Sequence, residues 1–153
     1  MHLMQCDLIK VRLMMSMTTI RRYSELRQLL TFEERFNYLK LGGIIGESTF
    51  GFDRYLNQFF YRSSEWKKVR NKVILRDEGC DMGMLDYPVN HIIVHHMNPI
   101  TVEMIEDRDD ILFDPEYLIC VSHDTHNAIH FGDKGLLPKL LVERKPNDMC
   151  PWR

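Results

Sequence analysis

Apolar and polar positions alternate along this chain with periods that change from helical to extended and back. In the segment from Thr18 to Leu41 the form of a capping box stands at Thr31-Phe-Glu-Glu34, where the Thr31 hydroxyl can meet early helical amides and Glu34 can reach back. It predicts a helix through about Leu41, with Phe32, Phe36 and Leu39 on one face and Gly42-Gly43 as the stop. Residues 46–61 concentrate aromatics, Phe50, Phe52, Tyr55, Phe59, Phe60 and Tyr61, read mainly as core, with a stacking platform for bases as the sharper alternative. Ser63 or Ser64 can cap a second helix running to about Arg76, in which Trp66, Val69 and Val73 recur at spacings of three and four and which Gly79 ends. Asp81 to Asn90, with Pro88, reads as a loop or hairpin entry, and His91-Ile-Ile-Val-His95 as a strand turned by Asn98-Pro99. Seven acids against the single basic Arg108 between Glu103 and Glu116 predict an exposed helix and loop. Tyr117 to Val121 is a second short strand, followed by a helix that starts at Ser122 or Asp124 and ends near Gly132. The tail, with Pro138, Pro146 and Pro151, reads as a surface strand or extended arm. Helices around two short strands make an α+β chain without repeats.

Composition bounds the rest. A length of 153 residues suits one domain with additional helical material. With 44% apolar and 27% charged residues, disorder is excluded for most of the chain. No run is long and apolar enough to span a membrane. The leading MHLMQCDLIKVRLMMSM is interrupted by Asp7, Lys10 and Arg12, so it is not read as a signal peptide. Met17 reads as the natural start, and residues 1–16 as an upstream extension. Cys6, Cys80, Cys120 and Cys150 include no CxxC pair, so no disulfide framework is expected and a reducing cytoplasm is the expected location.

The net charge of −2 does not announce a nucleic-acid binder, so any basic face must be local. One exists. Residues 62–76 hold Arg62, Lys67, Lys68, Arg70, Lys72 and Arg76 against Glu65 alone. Six of the seven histidines lie between His91 and His130. His126 and His130, at i and i+4, project from one helical face and make a suitable bite for a single metal ion. His95 and His96 sit at a strand end, where neighbours point to opposite sides, so one can bind metal while the other takes a proton from water. These are the minimal parts of a phosphodiesterase.

Three stretches carry a resemblance to a known family: Trp66-Lys-Lys-Val-Arg-Asn-Lys-Val-Ile-Leu-Arg-Asp77, Ile93-Val-His-His-Met-Asn-Pro-Ile100, and Leu118-Ile-Cys-Val-Ser-His-Asp-Thr-His-Asn-Ala-Ile-His130. Over about Tyr61 to Asp133 the chain resembles the HNH, or ββα-metal (His-Me finger), endonucleases, in wording most those of bacteriophages and prophages. The resemblance implies a ββα-metal core at 61–133, preceded by a helical and aromatic region at 17–60 and followed by a tail at 134–153. It implies one divalent ion, Mg, Mn, Ni or Zn, on His95, His126 and His130, and His96 as general base. It further implies a double-stranded DNA substrate cut to 5′-phosphate and 3′-hydroxyl ends, with Arg62, Lys67 and Arg70 as phosphate contacts and a phage protein, for instance of DNA packaging, as a partner.

Two departures stand out. The family's usual asparagine before the second strand, which orients the base, is here Tyr117, leaving Asn98 as a candidate substitute and Asn127 as another candidate behind the ligands. Of the two CxxC pairs that many relatives use for a structural zinc, only Cys80 and Cys120 remain, with Gly83 and His123 in the other places. Either Cys80, Cys120 and His123 form a partial zinc site, or both cysteines are buried packing and His123 is a surface or supporting residue. Beside the nuclease stand two rivals, a catalytically silent DNA-binding or interaction module on the same metal-stabilised scaffold, and a zinc storage or sensing domain.

Overall fold

Residues 19–41, 54–84, 89 and 91–137 are described in the computed structural model, with residues 54–57 as backbone only. The expectations for residues 1–16, Met17, Gly42-Gly43, Phe50, Phe52, the Tyr55 side chain, Pro88 and the tail from Pro138 therefore lie outside the described residues, as do Cys6 and Cys150.

The Thr31 capping box forms as predicted. Thr31 Oγ1 accepts from Glu34 N and Glu34 accepts from Thr31 N, opening helix α2 (Phe32–Leu39) after the short helix α1 (Tyr23–Leu26). Phe36 and Leu39 are buried, but Phe32, expected on the same face, is 44% exposed. The aromatic segment is itself helical, α3 (Arg54–Arg62), and Ser63 breaks it from α4 (Ser64–Arg76) by accepting from Trp66 N at 3.2 Å. Only Phe60 of its described aromatics is core. Phe59 is 72% exposed and Tyr61 41%, so for these two the reading as core is corrected. Trp66, Val69 and Val73 are buried along α4 as their spacing predicts.

Strands β1 (Ile92–His96) and β2 (Leu118–Ser122) pair antiparallel, with Val94 opposite Cys120, His95 opposite Ile119 and His96 opposite Leu118. Each lies one residue later than its pattern suggested, which places His96 inside the ladder. Between them the acidic connection forms the short helix α5 (Val102–Glu106) and two 3-10 turns, Asp110–Leu112 and Pro115–Tyr117. It is exposed along its acids yet buries Ile105 and Leu112. After β2, Ser122 caps helix α6 (His123–Phe131), and Gly132 ends it with φ +65, a left-handed conformation that glycine adopts without strain.

Strand alternation divides the interior into two cores. Val94, Leu118 and Cys120 face α4, meeting Trp66, Val69, Val73, Ile105 and Leu112. Ile119, Val121 and Met97 face the other way, meeting Ile129 of α6 and Leu26 and Leu39 of the N-terminal helices. The edge of β2 away from β1 is occupied by the segment after α4. There Asp77 Oδ2 accepts from Cys120 N at 2.8 Å, Met82 N donates to Cys120 O at 2.8 Å, and Asp81 Oδ2 accepts from Ser122 N at 2.9 Å. Arg76 pairs with Asp77 at 2.8 Å and donates to the carbonyls of Pro115 and Leu118. Among the described residues no helix is long and apolar enough to cross a membrane.

Removing the Asp77 carboxylate leaves a buried amide of β2 without its acceptor and Arg76 without its counter-ion. Asp77→Ala is expected to destabilise the fold by about 3 kcal/mol in urea unfolding. Glu33→Ala, which removes an exposed ion pair with Lys134, is expected to leave the midpoint unchanged.

Candidate metal centre

His95 and His96, adjacent on β1, point into different cores. His95 shares its side of the strand with Ile93 and Met97 and faces α6, which brings His126 and His130 to it from one helical face. Ring centroids are 5.1 Å apart for His95 and His126, 5.0 Å for His95 and His130, and 4.4 Å for the helical pair. One ligand nitrogen from each of the three lies within 4.8 Å of the other two, close enough for the set to hold a metal ion. His95 is 5% exposed, whereas the helical pair is half-buried, so the cluster opens on the α6 side.

Electrostatics favour the ligating form. Burial lowers all three imidazole pKa values, to about 4 for His126 and well below the ordinary 6.5 for His95, with each neighbouring imidazole adding to the cost of charge on His95. At neutral pH the cluster therefore presents lone pairs. His95 Nε2 is the single side-chain polar atom among the described residues that is buried without a hydrogen-bond partner. Such an orphan costs on the order of 1–3 kcal/mol unless something satisfies it, and a metal ion on this nitrogen would do so. The donor set, three neutral imidazoles, suits Zn, Ni, Mn or Fe.

His96 occupies the opposite side of β1. Its ring stacks on Trp66, with centroids 5.0 Å apart and planes inclined by 20°, and lies 5.9 Å from Phe60. Nε2 sits 3.1 Å from the carbonyl oxygen of Leu112. A carbonyl only accepts, so Nε2 carries the proton and Nδ1 keeps the lone pair. Burial brings the pKa down to about 4, against a smaller opposing effect of the Leu112 bond. Asn98 and Tyr117 line a small cleft together with His96. The Asn98 amide, however, is engaged by the Arg21 backbone on both atoms, accepting from Arg21 N at 2.8 Å and donating to Arg21 O at 3.0 Å. Leu112, not Asn98, provides the bond to His96.

The remaining candidates are dispersed. Arg62 is exposed at the end of α3, and Lys67 and Arg70 are exposed on α4, whose buried side covers the sheet face opposite the triad. Asn127 bonds His123 Nδ1 at 3.2 Å on an exposed turn of α6. Cys80, Cys120 and His123 do not converge: the histidine triad is the one group of three or more metal-ligating side chains found together among the described residues. Cys120 is core packing beside Val94, with its thiol pKa pushed up to about 12 by burial, while Cys80 is exposed, correcting both the partial zinc site and the burial of both cysteines.

Sequence reasoning missed two neighbours of this centre. Arg21 is half-buried, donates to the carbonyls of Tyr38 and Lys40, and acts electrostatically on His95. Asp81, almost wholly enclosed, bonds the start of α6. One Arg of the Arg21-Arg22 pair before a helix and a lone Asp in a loop carry no spacing signal. Comparison of the chain with family models, with curated proteins and with solved structures returns no match.

Histidines held neutral in the fold take up protons only on unfolding, so stability is complete above pH 6.5 and falls as the pH drops toward 4. For His96 alone the lowering from 6.5 to about 4 corresponds to about 3 kcal/mol. Urea midpoints of chelator-treated protein between pH 7.5 and pH 4.5 are expected to decline, and to decline less steeply in His96→Phe.

Proposed function

We propose that this chain is a metal-dependent endonuclease of the HNH type, its ββα-metal core formed by β1, β2 and α6, and that it hydrolyses phosphodiester bonds of double-stranded DNA. The observation that carries the reading is the open donor set: three imidazoles converge and no fourth protein ligand joins them among the described residues. Structural metal sites close with four protein ligands, whereas catalytic ones keep a position for water or substrate. His95, His126 and His130 hold the ion, which when bound supplies Lewis acidity at a phosphate oxygen.

His96 is the general base of this reading. Leu112 fixes its tautomer and Trp66 its ring plane, the support that the family's asparagine otherwise gives and that Tyr117 does not. The neutral Nδ1 accepts a proton from water, the resulting hydroxide attacks phosphorus in line, and the 3′ oxygen departs. Arg62, Lys67 and Arg70 anchor the DNA backbone away from the scissile bond. A second reading, the catalytically silent binding module, is favoured by one observation: His96 is only 8% exposed beneath its aromatic neighbours.

Plasmid nicking at low salt with Mg, Mn, Ni or Zn separates the two. Metal-dependent relaxation is expected, abolished by chelation and by His126→Ala and reduced at least about 100-fold by His96→Ala. Metal-loaded protein that retards DNA without cutting it would transfer the proposal to the silent module. In binding titrations, replacing both Lys67 and Arg70 by Ala is expected to reduce the slope of log K against log salt by about 2, with loss of affinity uniform across sequences.

A further inference from the structure

The metal centre depends on how α6 is rotated about its own axis. His95 is fixed in the sheet, but His126 and His130 reach it only if one face of α6 points at β1. A rotation of about 20° would carry a side-chain tip by about 2 Å, enough to break up a ligand set. Apolar packing by Ala128 and Ile129 supplies a broad preference for that orientation. The bonds that define it directly come from outside the helix and the sheet.

Asp81, in the loop after α4, is 1% exposed and its carboxylate accepts four hydrogen bonds. Oδ1 takes Gly83 N at 2.8 Å and Met84 N at 3.0 Å, which fixes the carboxylate in its own loop. Oδ2 takes Ser122 N at 2.9 Å and the Thr125 hydroxyl at 2.6 Å, which fixes the start of α6. Ser122 Oγ in turn donates to Thr125 Oγ1 at 3.0 Å and accepts from Thr125 N at 3.1 Å, closing the first turn around the same carboxylate. Thr125 is 1% exposed and immediately precedes His126. The joint has no slack: a Cβ on Gly83 would stand 2.6 Å from Thr125 Cγ2, on a short, enclosed, β-branched side chain.

We propose that Asp81 is a positioning residue of the metal centre, clamping Ser122 and Thr125 so that His126 and His130 face His95. The proposal rests on the reading of the triad as a metal site. Only a carboxylate fits the role. Its two oxygens accept all four donors, whereas an amide accepts at one end and presents N–H groups to donors at the other.

Cobalt binding followed by its visible d–d bands tests this, alongside thermal unfolding of the apo proteins. Asp81→Asn and Thr125→Val are each expected to weaken Co binding about tenfold and to alter the band pattern, while Thr125→Ser, which retains the hydroxyl, restores both. Ser63→Ala removes the cap of α4 and serves as a control; it is expected to lower Tm and leave the cobalt spectrum and affinity unchanged. Should Asp81→Asn fail to fold, Thr125→Val against Thr125→Ser decides. Wild-type spectrum and affinity in the folded Asp81 and Thr125 variants would overturn the positioning role, as would an equal loss in Ser63→Ala, and either result would leave the metal centre standing. Cobalt that does not bind the wild type, or binds unchanged in His126→Ala, would instead overturn the metal reading and this proposal with it.

Discussion

A two-stranded sheet has two open edges and is marginal in water by itself. In this chain the sheet carries His95 and His96, so everything else rests on how its backbone is held. The outer edge of β2 is satisfied by aspartate and arginine side chains and a single main-chain bond, not by a third strand. Asp77 takes the Cys120 amide, Met82 N meets the Cys120 carbonyl, and Asp81 takes the Ser122 amide. Carboxylates suit this position because each brings more acceptor capacity than a strand carbonyl and can serve two elements at once. Asp77 couples β2 to α4 and Arg76, and Arg76 carries the link on to Pro115, Leu118 and the ring of Tyr23. Asp81 couples the same strand to α6.

From that anchoring follows the separation of the two adjacent histidines. Because neighbours on a strand face opposite ways, one residue of register decides which imidazole meets α6 and which meets Trp66. His95 enters the core of aliphatic side chains and keeps an unpartnered nitrogen beside His126 and His130. His96 enters the aromatic core and has its tautomer set by Leu112. Both are held uncharged by the same physical cause, loss of water, and both consequently draw on folding stability at acidic pH. A pair of apolar residues would pack at these two positions at lower cost.

Local signals in the sequence located much of this. The Thr31 capping box, the Ser63 and Ser122 caps and the Gly132 exit are set by bonds within a few residues, so they are legible without tertiary information. The helical spacing of His126 and His130 and the strand reading of residues 92–95 were legible for the same reason. What was not legible depends on distant partners. The ladder begins one residue later than the pattern suggested because pairing with Ser122 sets the start at Ile92. Phe59 reads like Phe60 in composition, yet only one of them faces Trp66 and Phe113. Asp77 and Asp81 look like ordinary loop acids, and their role exists only once β2, 37 or more residues further on, lies beside them.

Charge placement bears on what such a centre can attract. The chain is net acidic, but no acid is among the side chains of its candidate metal site in the described residues. The seven acids of residues 103–116 sit on a connection whose apolar side chains pack toward α4, and its single basic residue, Arg108, pairs with Glu65 at 3.0 Å. Around the triad the pattern reverses. The three ligands are neutral, no carboxylate joins them among the described residues, and Arg21 places a half-buried cation within electrostatic reach of His95. A divalent ion on this set keeps its whole double charge, unlike one held by aspartates, and so gains most from an anionic oxygen at its open position.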